Sequence, residues 1–120
     1  FQVSLELTTF RSKCLMLGIG VNNLRKMQNS HSYQGSIMMC LSEGQTSIYE
    51  RCGRSKATRG IAFEEGDRII MRIDLDNLTL SWWLGDIQII WTRILKEHLA
   101  KQLYVKCEML GTGDQVRFYC

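Results

Sequence analysis

The sequence contains no proline, and its 120 residues include only two histidines and five cysteines. Without proline, no strand is interrupted by a residue that lacks a backbone N–H donor. An odd number of cysteines excludes a fully paired disulfide set within one chain, and the usual spacing of a zinc site is missing because no Cys-x-x-Cys pair occurs. We therefore expect buried, reduced thiols in an intracellular, cytoplasmic protein that carries no metal or cofactor.

Long apolar runs and strong charge bias are missing as well. No stretch approaches the roughly 18 uninterrupted apolar residues of a membrane span. Lys and Arg number 15 against 12 Asp and Glu, a formal net charge of +3, which is well short of a dedicated nucleic-acid binder. The hydrophobic fraction of 45% is that of a folded chain. We expect one domain over residues 1–120, and because Phe1 already lies in a predicted strand we expect the chain to be a fragment.

Apolar residues recur at every second position along the chain, which is the pattern of half-buried strands. Such runs cover residues 3–7, 15–21, 37–41, 48–49, 69–75, 78–84, 87–91, 103–109 and 116–120. In this phase Trp82 and Trp91 point into the core and Trp83 points outward. Asp76-Asn77 and Gly85-Asp86 predict hairpin turns, and residues 92–100 are the one helix candidate. The pattern predicts an all-β, antiparallel β-sandwich with one short helix.

The segment FEEGDRIIMRIDLDNLTLSW at residues 63–82 resembles the central signature of SPRY domains, roughly F-x-x-G-D-x-I-x-x-x-L-D-x-x-x-x-T-L-S-F. The flanks agree in order: residues 1–3 are similar to the Phe-Glu-Val strand of that family and residues 18–21 to its Ile-Gly-Val strand. Residues 103–104 and 116–118 are similar to its closing strands. The chain departs from the pattern at Val105, where the family has proline, and at Gly85-Asp86, where it has Asn-Gly. The family's first strands, before Phe-Glu-Val, are absent as well, so the resemblance implies a domain that lacks its first strand or strands.

The resemblance implies a bent antiparallel β-sandwich of the concanavalin A-like jelly-roll type. It also implies a non-catalytic module that binds a peptide or a protein surface through the loops at one end. Some members of the family are joined to ubiquitin-ligase modules, where they recognise substrates, and others act as adaptors or scaffolds in larger assemblies. Because the signature residues explain turns and core packing, we interpret them as a marker of the fold and expect the binding site elsewhere.

Three polar segments, 22–34, 50–60 and 109–114, are predicted as binding loops, since binding residues concentrate on loops of a rigid scaffold. Tyr and Arg are favoured anchors at interfaces, and glycines let a partner approach the backbone. The basic segment 50–60 suits an acidic partner better than a nucleic acid, because it has no interleaved aromatic residue on which a base could stack. The outward Trp83 is either covered by the missing N-terminal strands or exposed as a contact. If it is exposed, it is predicted to form an apolar patch with Ile70 and Ile90. The candidate partner-binding residues are Asn22, Asn23, Leu24, Arg25, Lys26, Met27, Tyr33, Arg51, Arg54, Arg59, Trp83, Met109, Leu110, Gly111 and Gly113.

Two alternatives to a protein-interaction module stay open, and catalysis is disfavoured. The sequence has no Gly-x-Ser-x-Gly elbow and no HExxH motif, and the adjacent Glu64 and Glu65 point to opposite sides of a strand. One alternative is a lectin-like sandwich that binds carbohydrate. The other is a structural subunit of a large assembly, held by Trp83 and by an open sheet edge that invites strand addition.

Overall fold

The computed structural model describes residues 1–9, 14–21, 37–42, 45–50, 53–60, 63–94, 103–109 and 115–119. Within these ranges the chain forms ten β-strands. They are β1 (Gln2–Thr9), β2 (Cys14–Val21), β3 (Ile37–Ser42), β4 (Gln45–Glu50), β5 (Gly53–Arg59), β6 (Arg68–Asp74), β7 (Thr79–Leu84), β8 (Ile87–Arg93), β9 (Leu103–Met109) and β10 (Gln115–Tyr119). The described part of the chain contains no helix long and apolar enough to cross a membrane.

The strands form two five-stranded sheets, and every strand pair is antiparallel. Sheet A has the order β10-β1-β6-β7-β8, and sheet B has the order β5-β4-β3-β2-β9. Each sheet turns one apolar face toward the other, because only that arrangement removes both faces from water. The predicted all-β sandwich is confirmed.

The core lies between the sheets and is built from the alternating positions. Its fully buried members include Leu5, Leu7, Leu15, Leu17, Ile37, Met39, Leu41, Ile48, Ile69, Met71, Leu80 and Trp82. The largest of them, Trp82 on β7, donates its indole N–H to the carbonyl oxygen of Leu17 on β2 at 3.0 Å. That bond satisfies the one polar atom of the ring and ties sheet A to sheet B through the core.

Two segments differ from their predicted structure. The basic segment expected to be a loop over 50–60 is mostly strand β5, which pairs with β4 along its whole length. The helix predicted over 92–100 does not begin at Thr92, because β8 continues through Arg93 and Ile94 then donates its N–H to the Leu78 carbonyl at 2.8 Å. Residues 95–100 lie outside the described ranges. In both cases pairing with a neighbouring strand decides the conformation, which no local pattern reports.

The apolar phase of β8 was also predicted wrongly. Its register shifts between Trp82 and Trp83, so that one residue of β8 is left over. This β-bulge reverses the alternation along β8. Ile90 therefore lies in the core with 4% of its surface exposed, whereas Trp91 points outward and is 40% exposed.

Within the described ranges, three turn positions adopt positive φ angles. Gly85 at φ 58° opens the two-residue turn between β7 and β8, as predicted, and Gly66 at φ 92° turns the chain into β6. In the turn between β6 and β7 the left-handed residue is Leu78 at φ 53°, rather than Asp76 or Asn77. This hairpin has four turn residues, and Asp74 supports it through its side chain.

Among the residues that the structure describes, the hydroxyl of Thr46 is the one buried side-chain polar atom without a hydrogen-bond partner. Thr46 is fully buried, and its Oγ1 has no hydrogen-bond partner. Because an unpaired buried hydroxyl costs about 1 to 3 kcal/mol, we expect Thr46→Val, which keeps the shape of the side chain, to raise the free energy of unfolding by about 1 kcal/mol. Urea titration followed by circular dichroism measures the change. Thr58→Val, on the exposed cross-strand neighbour in β5, is the control and should change stability by less than about 0.5 kcal/mol.

Candidate functional site

The strand register defines two ends of the sandwich, and these ends decide which loops lie together. In sheet B, Val21 pairs with Leu103, and at the same end Ile37 pairs with Glu50. At the opposite end Cys14 pairs with Ser42. We call these the Val21 end and the Cys14 end.

Sheet A has the same two ends, because short connections fix its direction. Four residues join Thr9 to Cys14, so the Thr9 end of β1 lies at the Cys14 end. Gln2, at the start of β1, pairs with Arg72, and the hairpin between β6 and β7 follows directly after Asp74. The four turn residues 75–78 therefore lie at the Val21 end, and the Gly85-Asp86 turn lies at the Cys14 end.

The three predicted binding loops do not attach to one end. The segment 22–34 follows Val21, and the connection between β4 and β5 follows Glu50, so both leave the Val21 end. Met109 pairs with Leu15, which places the start of segment 109–114 at the Cys14 end. The expectation that all three loops share one end is therefore wrong. Alternation cannot reveal this, because it fixes the face of each residue and leaves the order and register of the strands open.

Most of the candidate residues lie outside the described ranges. These are Asn22, Asn23, Leu24, Arg25, Lys26, Met27, Tyr33, Arg51, Leu110, Gly111 and Gly113. Of the others, Arg54 is a strand residue that pairs with Tyr49, and Arg59 is an exposed residue that pairs with Gln45 at the Cys14 end. The basic segment is thus spread along an edge strand.

An open depression of about 490 Å³ lies at the Val21 end, where β1 begins and β6 ends. It is lined by Phe1, Gln2 and residues 72–76. Phe1 is 75% exposed, and its amino group donates to the Ile73 carbonyl at 3.2 Å. The depression combines an exposed aromatic ring with polar groups, a mixture that suits the contact of a protein side chain.

Asp74 organises the hairpin beside this depression. Its carboxylate accepts hydrogen bonds from the backbone N–H groups of Asp76 at 3.0 Å and Asn77 at 3.1 Å, and from the Asn77 side-chain amide at 2.9 Å. These bonds, with the Asn77 side chain the largest contributor, hold the pKa of Asp74 below its ordinary value. Donors to a carboxylate favour its charged form.

The lowered pKa of Asp74 gives a pH prediction. A carboxyl group whose pKa is lower in the folded state stabilises the fold above its unfolded pKa, and this contribution disappears as the pH falls through the folded value. We therefore expect the stability difference between the wild type and Asp74→Asn to be largest near neutral pH and to shrink as the pH falls from about 5 toward 2. Urea unfolding across that range measures it. Asp86→Asn, in the other hairpin, controls for the loss of a charge, and a constant difference for Asp74→Asn would contradict the assignment.

Trp83, predicted as an outward contact, does lie on the outer side of sheet A and is half-buried. Its indole N–H donates to Ser81 Oγ at 2.9 Å, and the Arg72 guanidinium lies 4.5 Å from its ring centre. Ile70 lies beside it as predicted, since the two residues pair across β6 and β7. Ile90 does not, because it faces the core. The predicted patch is therefore less apolar than expected and carries a cation.

Trp91 has a cation partner that the sequence analysis missed. The Lys56 ammonium lies 4.5 Å from the centre of its ring and donates to the Trp91 carbonyl at 2.9 Å. Lys56 belongs to sheet B and Trp91 to sheet A, so this contact closes one side of the sandwich. The sequence shows a lysine in one strand and a tryptophan in another. It does not show that β5 and β8 are edge strands, and without that knowledge the contact cannot be predicted.

The fold is similar to two solved structures at low sequence identity. The TRIM65 PSpry domain aligns with a TM-score of 0.73 at 13% identity, over 99% of this chain and 63% of that one. The SPRY domain of human HERC1 aligns with a TM-score of 0.65 at 15% identity, over 98% of this chain and 72% of that one. The chain therefore spans less than two thirds of the TRIM65 structure.

Searches of protein-family models and of curated proteins gave no match. The similarity is therefore one of strand arrangement. The segment 63–82 covers β6, the hairpin after it and most of β7. With two antiparallel five-stranded sheets, a core of alternating residues and TM-scores of 0.65 to 0.73 to SPRY domains, this chain has a SPRY-like β-sandwich fold.

Proposed function

We propose that this chain is a non-catalytic protein-interaction module that binds a peptide or a protein surface at the Val21 end of the sandwich. The SPRY-like fold is the observation that carries the proposal, because the two similar solved structures are PSpry and SPRY domains, which are generally binding modules. A link to substrate recognition in ubiquitin transfer is part of the same proposal. It follows from the resemblance to the family and from no single residue of this chain.

The Val21 end is the favoured site because two of the three predicted binding segments attach there, beside the depression. The segment 22–34, with Leu24, Arg25 and Tyr33, and the β4–β5 connection with Arg51 both attach at this end, next to the depression lined by Phe1. Arg and Tyr are the side chains that most often dominate binding energy at interfaces. Strands on a packed core supply a fixed platform, so little conformational freedom is lost when a partner binds.

The segment 109–114 is a separate candidate at the Cys14 end. Its glycines, Gly111 and Gly113, would allow a partner to approach the backbone closely. Because Met109 and Val21 lie at opposite ends of sheet B, a short peptide that fills the Val21 end does not reach this segment. We therefore place the primary site at the Val21 end.

Panning a random-peptide display library against the purified 120-residue chain tests the proposal. We expect enriched peptides whose binding weakens at least about fivefold in Leu24→Ala, the loss of one interface anchor worth more than about 1 kcal/mol. The matched control is Ile87→Ala, which truncates an exposed apolar residue, 59% exposed, at the Cys14 end. It should bind as the wild type does.

Three results would contradict the proposal. The first is the absence of any enriched peptide, and the second is an equal loss of binding in both variants. The third is selective binding on a glycan array, which would support the lectin-like alternative. That alternative also predicts that calcium raises the melting temperature, whereas the proposed module melts at the same temperature with and without calcium.

A further inference from the structure

The outer side of sheet A carries a surplus of positive charge among the residues that the structure describes. Its outward positions include four exposed arginines, Arg68, Arg72, Arg93 and Arg117. Lys56 reaches the same side from sheet B through its contact with Trp91. We call these five cations, with the aromatic residues between them, the basic face.

Two carboxylates lie on the described strands of this side, and against five cations they offset only part of the positive charge. Glu6 pairs with Arg117 on β10 and with Arg68 on β6, so it interacts with these cations directly. Glu6 accepts a hydrogen bond from the Tyr119 hydroxyl at 2.8 Å. Asp74, at the end of β6, accepts three hydrogen bonds within its own hairpin. The basic face therefore presents more positive than negative charge to a partner.

Aromatic rings hold two of the guanidinium groups in place. Arg68 lies over Tyr119, with 4.3 Å from its Cζ to the ring centre, and Arg72 lies over Trp83 at 4.5 Å. Arg72 also donates through Nε to the Gln2 side-chain oxygen at 3.3 Å. A guanidinium held this way keeps further N–H donors at its edge, where a carboxylate can accept two parallel hydrogen bonds.

The spacing of the cations suits an extended chain. Arg68 and Arg72 lie four residues apart on the same side of β6, which corresponds to about 13 Å along a strand. Acidic residues at positions i and i+4 of an extended peptide have the same separation, since they follow the same rise per residue. A peptide that runs parallel to β6 would thus place two carboxylates at the two guanidinium groups.

We propose that the basic face is a second interaction surface, which binds an extended acidic segment of another protein. This surface shares Arg72 with the depression at the Val21 end, and its other cations lie outside that depression. A second copy of this chain is disfavoured as the occupant, because two basic faces repel each other. A single-stranded nucleic acid is disfavoured because it stacks its bases on open aromatic faces, and each of the three rings already stacks with a cation.

Fluorescence anisotropy with a labelled decamer of glutamate, titrated with the whole chain, tests this proposal. We expect binding that weakens as salt rises from about 50 to 200 mM, because exposed charges are screened. Arg72→Gln should weaken binding about threefold and Arg68→Gln/Arg72→Gln about tenfold, in line with exposed charge pairs. Arg68→Lys/Arg72→Lys should keep the salt dependence but lose part of the affinity, because lysine lacks the bidentate fork.

Lys106→Gln is the control. Lys106 lies half-buried on β9 of sheet B and opposes Gly18, so this variant removes one positive charge away from the basic face. It should bind the glutamate decamer as the wild type does. Melting curves of all variants confirm that each is folded.

The proposal is overturned if the glutamate decamer does not bind, or if Lys106→Gln weakens binding as much as Arg72→Gln. Tighter binding of an oligothymidine decamer, or of phosphatidylserine vesicles, than of the glutamate decamer would overturn it as well. The test is separate from that of the proposed function, since no peptide selected for the Val21 end is used and Arg68 lies outside the depression at that end.

Discussion

Gly18→Ala is expected to destabilise the protein by about 3 kcal/mol or more, because overpacking against a backbone leaves little room for relaxation. Gly18 is buried in the middle of β2, opposite Met38 of β3. A Cβ atom at this position would overlap the Ile37 carbonyl oxygen and lie 2.8 Å from Met38 Cα. The two strands would have to separate at their hydrogen-bonded centre. Urea unfolding followed by circular dichroism measures the loss.

Gly85→Ala is the matched control for Gly18→Ala. Gly85 has φ 58°, and a Cβ atom there would meet nothing within 4 Å, so this variant is strained only by its backbone conformation. Its free energy of unfolding should fall by about 1 kcal/mol. The loss in Gly85→Asn should be smaller, since asparagine tolerates this conformation. If Gly18→Ala were no less stable than Gly85→Ala, the close approach of β2 and β3 would be wrong.

Trp82→Phe is expected to lower the free energy of unfolding by about 2 to 4 kcal/mol. The substitution removes part of the largest buried side chain and leaves a cavity. It also leaves the Leu17 carbonyl oxygen, which accepts the indole N–H at 3.0 Å, without that donor inside the core. Because small domains have only about 5 to 15 kcal/mol of total stability, the midpoint of urea unfolding should fall clearly.

Trp91→Phe provides the comparison for Trp82→Phe. Trp91 is 40% exposed and contacts Lys56 on the outer side, so phenylalanine keeps most of its packing and part of the cation–π contact. We expect Trp91→Phe to lower the free energy of unfolding by less than about 1 kcal/mol. Equal losses in the two variants would mean that β8 follows the alternation predicted from the sequence, with Trp91 in the core.

The sequence predicted the layers of this fold better than their connections. Period-two alternation identified the core faces of β1, β2, β3, β6 and β7, where no irregularity interrupts the apolar phase. It failed on β8, because the bulge opposite Trp82 and Trp83 adds one residue to the strand. As a result Ile90 faces the core and Trp91 faces outward, the reverse of the prediction. It also missed β5, whose cations resemble a solvated loop and whose strand structure comes from pairing with β4.

The candidate site was predictable only in part. Residue types nominated the segments 22–34 and 109–114, but the register of β9 against β2 places them at opposite ends. The basic face was not predicted as a unit, because Arg68, Trp83 and Tyr119 come from β6, β7 and β10, which only the order of sheet A brings together on one side. Properties that depend on strand order cannot be derived from alternation, which reports one strand at a time.

The two proposed surfaces would contribute to binding in different ways. A loop site on a rigid platform gives specificity through anchors in a fixed arrangement. An exposed basic face gives faster association through charge, with an effect that salt reduces. Variants at Leu24 and Arg68 separate the two contributions, because the first should change the dissociation rate and the second the salt dependence of the association rate.

Hydrogen exchange of the backbone amides in the whole chain tests the central claim, that two sheets bury their apolar faces against each other. Amides of the interior strands β1, β6 and β7 of sheet A and β2, β3 and β4 of sheet B should be protected by the global free energy of unfolding, about 5 kcal/mol or more. The edge strands β5, β8, β9 and β10 should exchange faster. Uniformly rapid exchange, or strong protection confined to one sheet, would contradict the account.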